Sequence, residues 1–79
     1  MAYKLLGDKI ENPTDDVFNG ATLIYISATS ATEAILETSG DVIIGKIRVA
    51  SGQSISLVKD ATDKLSCPNS VCTPIANHW

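Results

Sequence analysis

A single histidine, a single tryptophan and two cysteines leave this 79-residue chain short of the groups from which active sites are usually built. His78 stands one residue from the chain end, so a Ser–His or Cys–His pair would place its base where order is poorest. Structural zinc needs four ligands, which two cysteines and one remote histidine do not supply. The five glycines stand singly in or beside turns and make no phosphate-cradling loop. No apolar run approaches the ~18 residues of a membrane span, and the first eight residues turn polar too soon for a signal peptide. Asn12-Pro13-Thr14 has proline at the excluded middle position of a glycosylation sequon. A net charge of −3 has the wrong sign for tracking phosphate backbones. The expectation is a protein without catalysis, cofactor, metal, nucleic acid or membrane partner.

Acids are plentiful, nine in all, but none lies in an apolar stretch that would raise its pKa for general acid work. Asp60 and Asp63 lack the further oxygens and tighter spacing of a calcium loop, and read instead as caps for local backbone amides. Charge is unevenly spread. Residues 1–41 hold two lysines against seven acids, and residues 42–79 hold four bases against two acids. Solvated faces are the common cause of such asymmetry; head-to-tail contact between copies is the other.

What the chain does have is β-branched bulk. Val, Ile and Leu together make up about a quarter of it, Ile outnumbers Leu, and seven threonines add to the bias toward a pleated, half-buried sheet. At this size one domain is expected, burying only roughly 60–65% of its unfolded surface, so support from outside the fold is plausible.

Residues 1–20 read as an N-terminal arm, with a short strand at Tyr3–Leu6 and turns at Gly7, Asn12-Pro13, Asp15-Asp16 and Asn19-Gly20; only Val17-Phe18 breaks the polarity. From residue 21 to 79 the text is a β-sandwich domain. Thr22–Ala28 is a continuous apolar strand, expected to be buried on both faces. Residues 33–38 and 42–49 form a hairpin about Ser39-Gly40-Asp41. In the second of these strands Ile47 and Val49 point one way and Lys46 and Arg48 the other, with Gly45 marking a bulge. Ser51-Gly52-Gln53 turns into Ser54–Lys59, with Ile55 and Leu57 inward. Asp60–Lys64 is a corner, and Thr73–Ala76 a last short strand. Strands every 8–12 residues with turns between them predict an all-β fold, an antiparallel sandwich or partly open barrel.

Cys67 and Cys72 flank a Pro-Asn turn, and both a disulfide and a pair of small apolar thiols fit that spacing. A terminal Trp79 packs on its own domain or on a neighbour. With Tyr3, Leu5, Val17 and Phe18 it makes up the expected interface.

The stretch from Gly45 to Leu65, followed by Thr73-Pro-Ile-Ala76, resembles small virion proteins of tailed marine bacteriophages over residues 21–76. Those chains are similar in having a sheet segment, a glycine turn, an apolar strand ending in Lys, a Thr-Asp corner and a Thr-Pro-hydrophobic-Ala end. The resemblance implies a multi-copy structural protein of the virion, assembled in the host cytoplasm, with no catalytic residues to carry over. Its partners would be the major capsid protein or other virion proteins. The leading reading is a capsid decoration or cement subunit, the next a neck or tail protein. From a different class, small β-sandwiches also serve as carbohydrate- or peptide-binding modules, which need exposed aromatics on one face.

Overall fold

A computed structural model describes residues 2–78 as eight strands: β1 (Ala2–Leu5), β2 (Ile10–Glu11), β3 (Leu23–Ala28), β4 (Thr32–Glu37), β5 (Ile43–Val49), β6 (Ser54–Val58), β7 (Lys64–Ser66) and β8 (Ser70–His78). They form two antiparallel sheets that do not close into a barrel. The first has the order β1-β8-β3-β6, with β2 also pairing β8, and the second has the order β5-β4-β7.

Alternation along the strands explains the layering. Ile24 and Ile26 of β3 are buried against Ala34, Leu65, Cys67 and Cys72, with Ala28 buried at the end of the same strand, while Ile55 and Leu57 of β6 pack at the margin. Burial of β3 is one-sided, contrary to its unbroken apolarity: Tyr25 on the other face is 36% exposed. The β4–β5 hairpin forms as its turn signals require, and its register slips between Leu36 and Glu37, opposite Gly45 and Ile43, leaving Ile44 as the bulged residue. The turn at residues 51–53 is also present, closed by Gln53 N donating to Ala50 O at 3.0 Å with Gly52 at φ +79°. It does not join neighbouring strands, however; it carries the chain from the second sheet back to the first.

Residues 2–20 do not project as an arm. β1 pairs with β8 from Ala2↔His78 to Leu5↔Ile75, and β2 continues along the same strand at Ile10↔Cys72. The radius of gyration, 11.6 Å, is that of a compact chain of this length. Residue 20 is therefore not a boundary between arm and domain.

Between β1 and β2 the edge is broken, and that break accommodates a proline. Pro74 lies in β8, a central strand where a missing N–H usually forbids it. Its carbonyl accepts from Leu6 N at 3.0 Å, so its donor-less nitrogen faces the same side, where the chain leaves the ladder after Leu6 and rejoins at Ile10. Gly7 spans the gap; a Cβ there would sit 3.3 Å from Pro74 Cγ.

The loop from Asn12 to Ala21 folds inward through a left-handed turn, with Phe18, Asn19 and Gly20 at φ +54°, +54° and +82°. Asp16 Oδ1 accepts from Phe18 N at 2.7 Å, and Ala21 N donates to Phe18 O at 3.1 Å. Left-handed non-glycine residues cost ~1–3 kcal/mol each, and here the cost is offset by delivering the Phe18 ring to the core at 2% exposure.

Candidate functional site

The outward face of the first sheet is built by strand parity. Register sets Val58, Leu23, Ile75 and Leu5 side by side across β6, β3, β8 and β1, with Ser56, Tyr25 and Thr73 in the next row and Ser54, Ser27 and Val71 in the third. Val58 and Leu5 are 73% and 71% exposed. Tyr3 leans across this surface: its hydroxyl reaches Ser56 Oγ at 3.4 Å and its ring lies 6.2 Å from that of Tyr25, tilted by 50°. Ile75 is only 2% exposed although it sits on the outer face. The one charged side chain among these rows is Glu11, at the corner opposite Val71, and it pairs with Lys9 at 3.6 Å. The result is a flat face of apolar and hydroxyl groups with almost no charge.

A second exposed apolar region runs along β5, an outer strand of the second sheet. Val42, Ile43, Ile44 and Ile47 are 64%, 53%, 54% and 46% exposed. Beside them a groove of about 240 Å³ opens between the sheets, lined by Ala34, Leu36, Ile44, Gly45, Lys46, Ile47 and Leu57.

Of the expected interface residues, Tyr3 and Leu5 belong to the outer face and Val17 is exposed elsewhere, at 39%. Phe18 is corrected: it is a core residue, because the left-handed turn that sequence patterning does not reveal rotates its ring inward. Trp79 lies outside the described residues. Sequence reading missed Leu23, Tyr25 and Val58 as face residues; the alternation of β6 was the signal for Val58, whereas the unbroken apolar run of β3 gives none for Leu23 and Tyr25.

The cysteines are free thiols, both fully buried. Ser70 Oγ donates to Cys67 O at 2.7 Å and lies 3.3 Å from Cys72 Sγ. Burial pushes the Cys72 thiol up to about 11, so it is neither ionised nor nucleophilic at neutral pH. At the 60–63 corner, Asp63 Oδ2 accepts from Asp60 N at 3.1 Å, the capping role read from the sequence. Lys59, 3% exposed, donates from Nζ to Val17 O at 2.9 Å and Asp60 O at 3.1 Å. Desolvation lowers its pKa, against the opposing pull of Asp63, Asp16 and Asp60. This ammonium is a strut joining the left-handed turn to the corner.

A broad cleft of about 560 Å³ fills the gap between β1 and β2, with Asp8, Asp16, Phe18 and Pro74 on its walls. Both carboxylates are engaged by backbone amides, Asp8 by Lys9 N at 2.8 Å and Asp16 by Phe18 N. Among the described residues no group of three or more His, Cys, Asp or Glu gathers as a metal site, and no helix is long and apolar enough to cross a membrane. Compared with known protein families, curated proteins and solved structures, the chain finds no match.

Proposed function

We propose that the chain is a structural subunit of a phage virion, a decoration or cement protein that attaches to the outer capsid lattice through the charge-poor face of its first sheet. That face is the observation that carries the reading. Exposed apolar surface rimmed by polar groups marks interaction sites, and this one displays Leu5, Tyr3, Tyr25, Leu23 and Val58 together. The resemblance of residues 21–76 to marine phage virion proteins supplies the kind of partner.

Size favours a repeated contact over a solitary one. Four strands at ~4.8 Å spacing and three residue rows give roughly 400 Å². A standard stable interface uses about 800 Å² per partner. A face of this area binds weakly alone and durably when many copies, or several contacts per copy, act together. The test is the copy number in purified particles: hundreds of copies support the cement reading, about a dozen mean a neck or tail protein, and absence from particles overturns the virion assignment. In parallel, Leu5→Glu and Tyr25→Glu, both at exposed positions, are expected to abolish particle binding while the isolated protein stays folded.

One observation favours a second reading, a carbohydrate-binding module. Tyr3 and Tyr25 are neighbours on a face that also displays Ser27, Ser54, Ser56 and Thr73, a combination of rings and hydroxyls that suits sugar recognition. The 50° tilt between the rings makes a poor flat platform and weighs against it. Retention on a glycan column, lost in Tyr25→Ala, would favour this reading over the first.

A further inference from the structure

The groove beside β5 carries a more specific inference, which rests on the reading of the chain as a docking subunit. We infer that the free edge of β5 accepts an extended segment of a neighbouring protein in which acidic residues alternate with apolar ones, added as an antiparallel strand.

Three features support it. Among the described residues β5 is hydrogen-bonded to β4 on one side only, so half of its backbone donors and acceptors face outward, the arrangement that strand addition exploits. Its inward side opens on the groove lined by Ala34, Leu36, Ile47 and Leu57, an unfilled extension of the core able to take apolar side chains from an added strand. Its alternate positions carry Lys46 and Arg48, both exposed, with Lys46 also at the rim of the groove, and neither β5 nor β6 contains an acid.

The existing neighbour of β5 shows what chemistry suits it. β4 places Glu33 opposite Arg48, Ile35 opposite Lys46 and Ala34 opposite Ile47. Arg48 already faces Glu33 across this pairing, whereas Lys46 faces only Ile35, so an occupant on the free side meets a lysine with no acid opposite it. A second copy of β5 is a poor occupant, because full antiparallel overlap sets Lys46 against Lys46. The bulge at Ile44 confines regular pairing to residues 45–49.

The probe is a fluorescein-labelled peptide with the sequence of residues 31–38, titrated against the full chain by anisotropy and by amide NMR. Saturable binding with Kd below about 1 mM, with the largest shifts at Gly45–Val49, supports the inference. The double variant Lys46→Glu/Arg48→Glu is expected to weaken that peptide at least tenfold and to bind a version carrying Lys in place of both Glu. Gly45→Val, which adds a side chain into open space beside the groove, is expected to keep the fold and lose the peptide. No saturable binding, shifts confined to the outer face of the first sheet, or self-association of the chain through β5 each overturn it. Copy number in particles is read separately. Peptide failure with hundreds of copies per virion removes this inference alone, and peptide binding by a protein absent from virions removes only the virion reading.

Discussion

At the scale of single residues, Lys59 is the most consequential buried charge. Its ammonium satisfies two carbonyls from separate loops, Val17 and Asp60, so Lys59→Met leaves two acceptors without their donor and is expected to cost about 1–3 kcal/mol, read as a lower denaturation midpoint. Burial also lowers its pKa, which fixes a sign. Between the lowered folded value and the unfolded value of 10.5 the unfolded chain holds more protons, so this group's contribution to stability rises with pH through that window. Cys72 acts oppositely. Its pKa is raised from 9.0 to about 11, so the stability it contributes is complete below 9.0 and is lost as pH climbs toward 11. The difference between wild-type and Lys59→Met melting curves isolates the lysine and should widen as pH approaches 10.5; a difference that is flat or shrinks over alkaline pH contradicts the assignment. The thiols offer a further check. A disulfide-exchange reagent at pH 8 should label neither Cys67 nor Cys72 in the native protein and both after denaturation, and rapid native labelling would show that the pair is not sealed in the core.

At the scale of elements, Phe18 and its turn show how much one loop contributes. Phe18→Ala removes the aromatic ring of the core cluster and is expected to destabilise by about 3–4 kcal/mol, a large fraction of the stability of so small a domain. Gly45→Val should move the other way, by about 0.5–1 kcal/mol, because no atom lies within 4 Å of the new Cβ and valine suits a strand better than glycine. Chemical denaturation of the two variants reads both signs. The same elements show where sequence is informative. β3 to β6 were legible because each has five to seven residues bounded by turn signals, with β5 and β6 partly alternating and β3 rich in β-branched and aromatic side chains. β2 and β7, at two and three residues, are too short to carry a period. β8 was read only from Thr73 to Ala76, since Pro74 argues against a central strand; the break between β1 and β2 that permits it is a tertiary fact. Phe18 was misplaced for a related reason, because three successive left-handed residues leave no pattern beyond Asn19-Gly20. Of the candidate site, Tyr3 and Leu5 were legible as exposed apolar residues in a polar stretch, whereas their neighbours Leu23 and Tyr25 were hidden in a run that looked wholly buried.

At the scale of the whole molecule, two sheets stacked within an 18 Å thickness enclose a core of few side chains, while much of the large apolar surface stays outside. Under the proposed capsid attachment, that distribution would tie stability to binding. A domain that binds a lattice only when folded gains RT ln(1 + [L]/Kd), about 2.7 kcal/mol when lattice sites are present at a hundred times Kd. For a domain of this length each kcal/mol moves Tm by roughly 4–8 °C, so capsid-bound protein should melt roughly 10–20 °C above the free monomer. Leu5→Glu and Tyr25→Glu place a charge on the proposed docking face without entering the core, so the free melting temperature should hardly change while the increment on capsids disappears. Scanning calorimetry of the free protein, of decorated particles and of the two variants mixed with stripped particles measures all of these quantities. A wild-type Tm identical on and off the capsid would count against the proposed attachment itself, and variants that keep the increment would show that the charge-poor face is not the contact.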